Sequence, residues 1–268
     1  MHAPDAFPEH VLADLIDEGV ITPEMSVLIV CGGVRDRDLV ASAGFVDVTI
    51  TNVDAEPTAG IEPYAWAHQD AENLDYADDS FDVGIVVAGL HHCRSPHRAL
   101  LELLRVTRHA VVAFEARDSL TMRLMCRLGL AEHYEISAVA DQGLRSGGVS
   151  NSAVPNYVYR WTERDFDKAV ACYDAEHQPT TRFYGHLELP SGVRTDRHGR
   201  GLKGWLLRAV AALAPLLVRL APSQRNHLAM VAHHGAAPLH PWLRLDDQGR
   251  AVPDEGFVGQ RYPVRVDG

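Results

Sequence analysis

The run Val27-Leu28-Ile29-Val30-Cys31-Gly32-Gly33 decides the fold. Four branched apolar residues in succession, entering a Gly-Gly turn, read as a strand buried on both faces, the pattern of a parallel sheet. A second β-branched run, Val46-Asp47-Val48-Thr49-Ile50-Thr51-Asn52-Val53, ends in the acidic Asp54, twenty-one positions after Gly33. Glycines at such a turn let backbone N–H groups approach a ligand closely. A carboxylate at the end of the next strand accepts ribose hydroxyl protons. Many nucleotide-binding domains share these two features, so the rest of the chain has to choose among them.

Working outward, the periodicity predicts a helix from Pro8 to Gly19, another from Asp36 to Ala43, and a short apolar patch from Tyr64 to His68. Phe81-Asp82-Val83-Gly84-Ile85-Val86-Val87 reads as a third buried strand with His91-His92 just past its carboxyl end. Pro96 to Thr107 reads as a helix carrying the Glu102–Arg105 pair, and Ala110 to Phe114 as a strand ending in Glu115. Successive βα units of this kind give a doubly wound, Rossmann-like α/β sheet with ligands at the strands' carboxyl ends.

Beyond Asp118 the pattern loosens. Ser119 to Leu130 suggests a helix, Gln142 to Pro155 a Gly/Ser/Asn loop, and Thr162 with Asp165 a near capping box for a helix through Tyr173. Thr180 to Leu189 and Asn226 to His233 suit two closing strands, and the tail from Gly235 reads as irregular. The insertion 201–220 carries a broad leucine stripe with Pro215 inside it. One reading is a helix kinked at Pro215 and packed over the sheet or its active-site mouth. The other is an oligomer face or an interfacial membrane helix, because its charges, Lys203, Arg208 and Arg219, are all basic. Two arginines and a proline argue against a spanning helix.

With 268 residues, 46% hydrophobic and 23% charged, the chain has the composition of one enlarged globular domain. A net charge of −11 disfavours nucleic acid as a partner. Cys31, Cys93, Cys126 and Cys172 form no CxxC pair, and Met1 to Asp5 lack a basic n-region, so reduced cysteines and a cytoplasmic location are expected. The fifteen histidines show no HxxxH or 2-His-1-carboxylate spacing on one element, so no metal is expected.

Together Val27–Gly33, Val53-Asp54, Asp70-Ala71-Glu72-Asn73-Leu74, Asp79-Ser80-Phe81-Asp82, Gly89-Leu90-His91-His92 and Ala99-Leu100 through Arg105-Val106 resemble class I S-adenosylmethionine-dependent methyltransferases of the small-molecule, type 11-like group. That resemblance implies a mostly parallel seven-stranded sheet with an antiparallel last strand and helical lid insertions. It further implies one methyltransferase domain over 1–268, with a cofactor core at 25–117, lid or substrate insertions at 118–161 and 190–222, and an irregular tail at 235–268. S-adenosylmethionine is the implied cofactor, held by Val30, Cys31, Gly32, Gly33, Asn52, Asp54, Asp70, Ala71, Glu72, Ala88 and Gly89. The group's usual D-x-G-x-G-x-G is broken here: Ile29 stands at the acidic position, Cys31 at the first glycine and Arg35 near the third. Asp36 is the candidate substitute for the lost acid.

The implied chemistry is methyl transfer to a hydroxyl of a small natural product or sugar. His91 or His92 would act as the base, and Glu115 would orient the imidazole. An N- or C-methyltransferase, a noncatalytic protein on the same scaffold and, more weakly, a nicotinamide-dependent oxidoreductase are the rivals. The implied partner is a small-molecule acceptor.

Overall fold

The computed structural model describes residues 6–54, 59–188, 212–235 and 237–263. Helix α1 (Ala6–Asp17) precedes β1 (Val27–Val30), α2 (Val34–Ser42), β2 (Val48–Asn52), β3 (Ala65–His68) and β4 (Phe81–Val87). There follow α3 (Pro96–Val106), β5 (Thr107–Ala116), α4 (Leu120–Arg127), α5 (Ile136–Asp141), α6 (Glu163–Tyr173) and β6 (Thr180–His186). Helix α7 covers 212–220, and β7 (His227–His233), β8 (Leu243–Leu245), β9 (Ala251–Pro253) and α8 (Glu255–Gly259) complete the described residues.

Seven strands form one sheet in the order β3-β2-β1-β4-β5-β7-β6. β1 pairs in parallel with β2 and β4, β2 with β3 and β4 with β5, while β7 runs antiparallel between β5 and β6. This is the Rossmann-like, doubly wound architecture with one reversed strand near its edge. The order reverses between β1 and β4, so a crevice opens at their carboxyl ends.

The unbroken apolar run of β1 follows from helices covering both faces. Val27 and Ile29 pack with α1 and α2 residues Leu12, Leu15 and Val40, whereas Leu28 and Val30 pack with α3 and α6 residues Leu100, Leu103, Phe166 and Val170. Strand β4 obeys the same rule, and Gly84 sits where α3 presses closest to the sheet. A Cβ there would lie 2.7 Å from Leu103 Cδ1.

Helix α3 starts at Ser95, whose hydroxyl accepts from the Arg98 N–H, with Pro96 in the first turn. Its Glu102 and Arg105 bind the loop before β4: Glu102 Oε2 accepts from Leu74 N–H, and Arg105 donates to the Leu74 and Tyr76 carbonyls. The Asp70–Leu74 motif and the Glu102–Arg105 pair are therefore one structural unit.

Two expectations change. The tail is not irregular throughout: β8 and β9 form a hairpin, followed by α8, because Asp246 accepts the Gln248 and Arg250 N–H groups around a turn closed by Gly249 at φ +75°. Within the 201–220 stripe, residues 201–211 lie outside the described part, as does 190–200 of the second lid insertion. The described helix does not bury its leucines under the sheet, since Leu213, Leu216, Leu217 and Leu220 are 63, 58, 40 and 77% exposed. Among the described residues no helix is long and apolar enough to cross a membrane.

Gly84→Ala should destabilise the protein by about 1–3 kcal/mol, the range for an extra carbon forced into a packed interior. The urea midpoint should fall with the slope unchanged; an unshifted midpoint would show that α3 moves aside freely.

Candidate active site

The turn after β1 is built differently from a glycine loop. Its left-handed residue is Cys31, at φ +55°, and the matching turn after β4 places Ala88 at φ +50°. Gly33 has an extended backbone, at φ −154°. Gly32 is required by packing, since a Cβ would lie 2.7 Å from Ile29 Cγ2 and 2.8 Å from Ile50 Cγ2. Gly89 is required likewise, with Cys31 Cβ 2.6 Å from the position its own Cβ would take.

A cavity of about 260 Å³ opens at the carboxyl ends of β1, β2 and β4. Of the sequence-predicted cofactor residues, Cys31, Asn52, Asp54, Asp70, Ala71, Glu72, Ala88 and Gly89 line it, and Val30, Gly32, Gly33 and Asp36 do not. Val30 is core, and the two glycines shape the turn behind the wall. The Asp36 carboxylate accepts the Gly33 N–H at 2.8 Å as the cap of α2, so it turns away from the cavity. Burial lifts its pKa to about 6, against the lowering effect of that N–H.

The other carboxylates divide by role. Glu72 accepts the N–H groups of Arg94 and Ser95, both at 2.9 Å, and so clamps the start of α3. Asp70 closes its own turn by accepting from Glu72 N–H. Asp54 receives the side-chain amide of Asn151, which arrives from the Gly147–Asn151 loop and lines the same cavity. That loop is wound tightly, with Ser150 and Asn151 at φ +49° and +52°.

At the cavity's inner end the turn Leu90–His92 carries the two histidines. Glu115, at the end of β5 with a fully buried side chain, accepts the Leu90 N–H at 2.7 Å through Oε1 and holds His91 Nδ1 at 2.6 Å through Oε2. Glu135 approaches from the segment before α5. Its Oε2 lies 3.4 Å from His91 Nε2 and 3.6 Å from His92 Nε2, and Asn156 Nδ2 donates to it at 3.3 Å. Burial alone would lower the His91 pKa, but the flanking carboxylates, Glu115 first, outweigh it and raise the value to about 10. His92 shifts the other way, lowered by burial and by the positive charge of its neighbour. Glu135 is held down to about 2, chiefly by its bond to His91. At neutral pH the pair is thus one imidazolium and one neutral imidazole.

His91, His92 and Glu135 place one nitrogen or oxygen each within 4.8 Å of one another, a juxtaposition of segments that single-element spacing could not show. Glu135, Asn151 and Asn156 were all missed from sequence; none sits in a periodic stretch, and only the fold brings them to the site. A second cavity of about 430 Å³ adjoins the first, sharing Cys93 and reaching His91, Tyr157 and Tyr159.

Comparison with known proteins agrees with this geometry. Residues 29–114 match the family model described as a methyltransferase domain. No curated protein sequence matches the chain. Solved structures that resemble it include magnesium protoporphyrin IX methyltransferase from Synechocystis PCC 6803 with bound SAH, at 13% identity and TM-score 0.51, over 85% of this chain and 82% of that one. A putative methyltransferase from Bacillus halodurans C-125 aligns at 13% identity and TM-score 0.51, over 83% and 98%. A Haloferax volcanii putative methyltransferase, in complex with the Trm112 methyltransferase activator, aligns at 13% identity and TM-score 0.50, over 88% and 96%. At such identities these structures speak for the fold alone. The family match, over residues 29–114, is to a methyltransferase domain, and the sheet shares the fold of these methyltransferase structures. The cavity's donor set fits S-adenosylmethionine, the cofactor that the resemblance implies: carboxylates at the ends of β2 and after β3, and small apolar residues, Ala71, Ala88 and Gly89, between them.

Because the Asp36 pKa is raised on folding, its contribution to stability is present below about pH 4 and is lost as the pH rises through about 6. The stability of wild type relative to Asp36→Asn should therefore fall by on the order of 2–3 kcal/mol between about pH 4 and pH 7. Denaturant titrations of both proteins at the two pH values test this. Parallel pH dependence would show that the carboxylate is not buried as described.

Proposed function

We propose that the chain transfers the methyl group of S-adenosylmethionine to a hydroxyl of a small acceptor, with His92 as general base. The observation that supports this most is the paired histidine turn, in which a neutral His92 lines the first cavity beside a charged His91 that lines the second. A hydroxyl is a poor nucleophile until its proton departs, and a neutral imidazole in reach of it is the group suited to take that proton. Bound S-adenosylmethionine supplies an electrophilic methyl on a sulfonium, leaving after transfer as the neutral thioether.

In this reading Asp54 accepts from the ribose hydroxyls, with Asn151 beside it closing the loop over them, and Asp70 and the Ala71 N–H receive the adenine edge. His91 does not take the proton. Held as imidazolium by Glu115 and Glu135, it steadies negative charge growing on the acceptor oxygen, and its charge keeps His92 unprotonated, and so free to accept a proton, near neutrality. Glu135 then attracts the imidazolium that forms on His92. The acid usual in the first strand has no replacement here: Ile29 is buried in the core and Asp36 faces Gly33. The cofactor's amino group is therefore assigned to backbone carbonyls around Cys31 and Ala88.

His92→Ala should lower kcat by roughly 10²–10⁴-fold, the range for a lost general base, while calorimetry shows S-adenosylmethionine binding nearly unchanged. Undiminished turnover would point instead to an N- or C-acceptor, and absence of binding heat to a noncatalytic fold. The rate should rise with pH through the lowered His92 value to a plateau at neutrality and decline again near pH 10, where His91 loses its proton. Glu135→Gln removes one of the carboxylates that hold the His91 proton and should move the alkaline limb to lower pH; an unmoved limb would remove His91 from the reaction.

A further inference from the structure

The second cavity indicates what the acceptor is, on the assumption that the methyl-transfer reading above is correct. We propose that it receives a flat hydroxylated aromatic carboxylate, its ring lying between the prolines and tyrosines and its carboxylate on Arg94. Pro96, Pro155, Tyr157 and Tyr159 form the walls, and the surface they offer is mostly apolar. Tyr159 is fixed as a wall: it packs edge-on to Trp161 and to His97, and its hydroxyl meets His97 Nε2 at 3.5 Å. Tyr157 is braced by Tyr134 edge-on and by His133 in a stack. Planar, rigid walls of this kind suit a planar ring, which gains offset or edge contacts at little conformational cost.

A sugar is less well served. Polyols are held by several open carboxylates and amides, and here the carboxylates nearest the cavity are already engaged: Glu115 with His91 and the Leu90 N–H, Glu135 with both histidines and Asn156. Asn156 is 3% exposed, and its Oδ1 accepts no hydrogen bond among the described residues. Its amide is committed to the His91 carbonyl and Glu135, so the oxygen has its orientation set and lacks a donor. A second ring hydroxyl reaching this inner wall would supply one.

Arg94 completes the site. Its backbone is anchored by Glu72, and its side chain lines the cavity exposed, with no carboxylate ion-paired to it among the described residues. In a chain with 36 acidic and 25 basic residues, an unclaimed guanidinium at a cavity mouth is a site for an anion of the ligand. The opposite end of the ring then reaches the histidine turn, where a phenolic hydroxyl loses its proton more readily than a sugar hydroxyl.

The test uses the full chain saturated with S-adenosylhomocysteine, titrated with 6-hydroxy-2-naphthoate, whose hydroxyl and carboxylate stand at opposite ends of the ring system, its methyl ester and methyl β-glucoside. The acid should bind more tightly than the ester, and the glucoside should give no measurable heat. Arg94→Gln should weaken the acid by about tenfold, the scale of one charge-assisted contact, and leave the ester unchanged, with Arg94→Lys partly restoring the acid. Tighter binding of the glucoside, equal loss of acid and ester in Arg94→Gln, or no binding of either aromatic overturns the proposal. Heat from S-adenosylmethionine is measured alongside. If the cofactor binds and the aromatics do not, this inference alone fails; if the cofactor itself does not bind, the methyl-transfer reading fails with it.

Discussion

The contact on which the site depends is the buried pair between His91 and Glu115 at 2.6 Å. A carboxylate with no exposed surface is expensive to keep ionised unless its lone pairs are filled. Glu115 fills them with one imidazole nitrogen and one backbone N–H, those of His91 and Leu90. That arrangement locks the turn after β4 to the end of β5, two adjacent parallel strands. Everything placed by the turn inherits its position: His92 beside the cofactor cavity, Cys93 between the two cavities, and Ser95 at the start of α3. The same pair sets the electrostatics, because the charge it fixes on His91 helps to hold His92 neutral.

Much of the fold was legible because it rests on patterns that do not need long-range information. Apolar runs in β1 and β4 mean helices on both faces, and both faces are covered. The Glu102–Arg105 pair, legible as a helical ion pair, proved to do more, since both side chains also bind the loop at 74–76. The β8–β9 hairpin went unseen although its turn chemistry, Asp246 three positions before Gly249, stands in the sequence. Strands of three residues are too short for alternation to register, so the turn was the only signal available.

The site was legible on its strand side and opaque on its loop side. Asp54, Asp70 and the histidines follow strands, and Glu115 stands near the end of one, so position along the chain predicts position in space. Glu135, Asn151 and Asn156 come from a segment with no period, and their meeting with residues 97, 44 and 65 positions away from one of them or another is a property of the closed loop. The glycines show the converse error. Their presence in the turn was read as close approach to a ligand, but the left-handed backbone falls on Cys31, and Gly32 is small because Ile29 and Ile50 leave no room.

The same packing explains how the first strand accommodates Ile29 where the resemblance would place an acid. Ile29 packs fully buried in one cluster with Ile50 and Ile85. The Ile29 side chain occupies the volume under Gly32, so that a glycine is necessary there for packing. Cys31 takes up the left-handed turn and lies against Gly89, which in turn must lack a side chain. The strand end is thus a set of mutually dependent, mostly apolar residues. Polar recognition is concentrated where β2, β3 and β4 end, and the cavity's carboxylates and the histidine turn are all found on those elements or just beyond them.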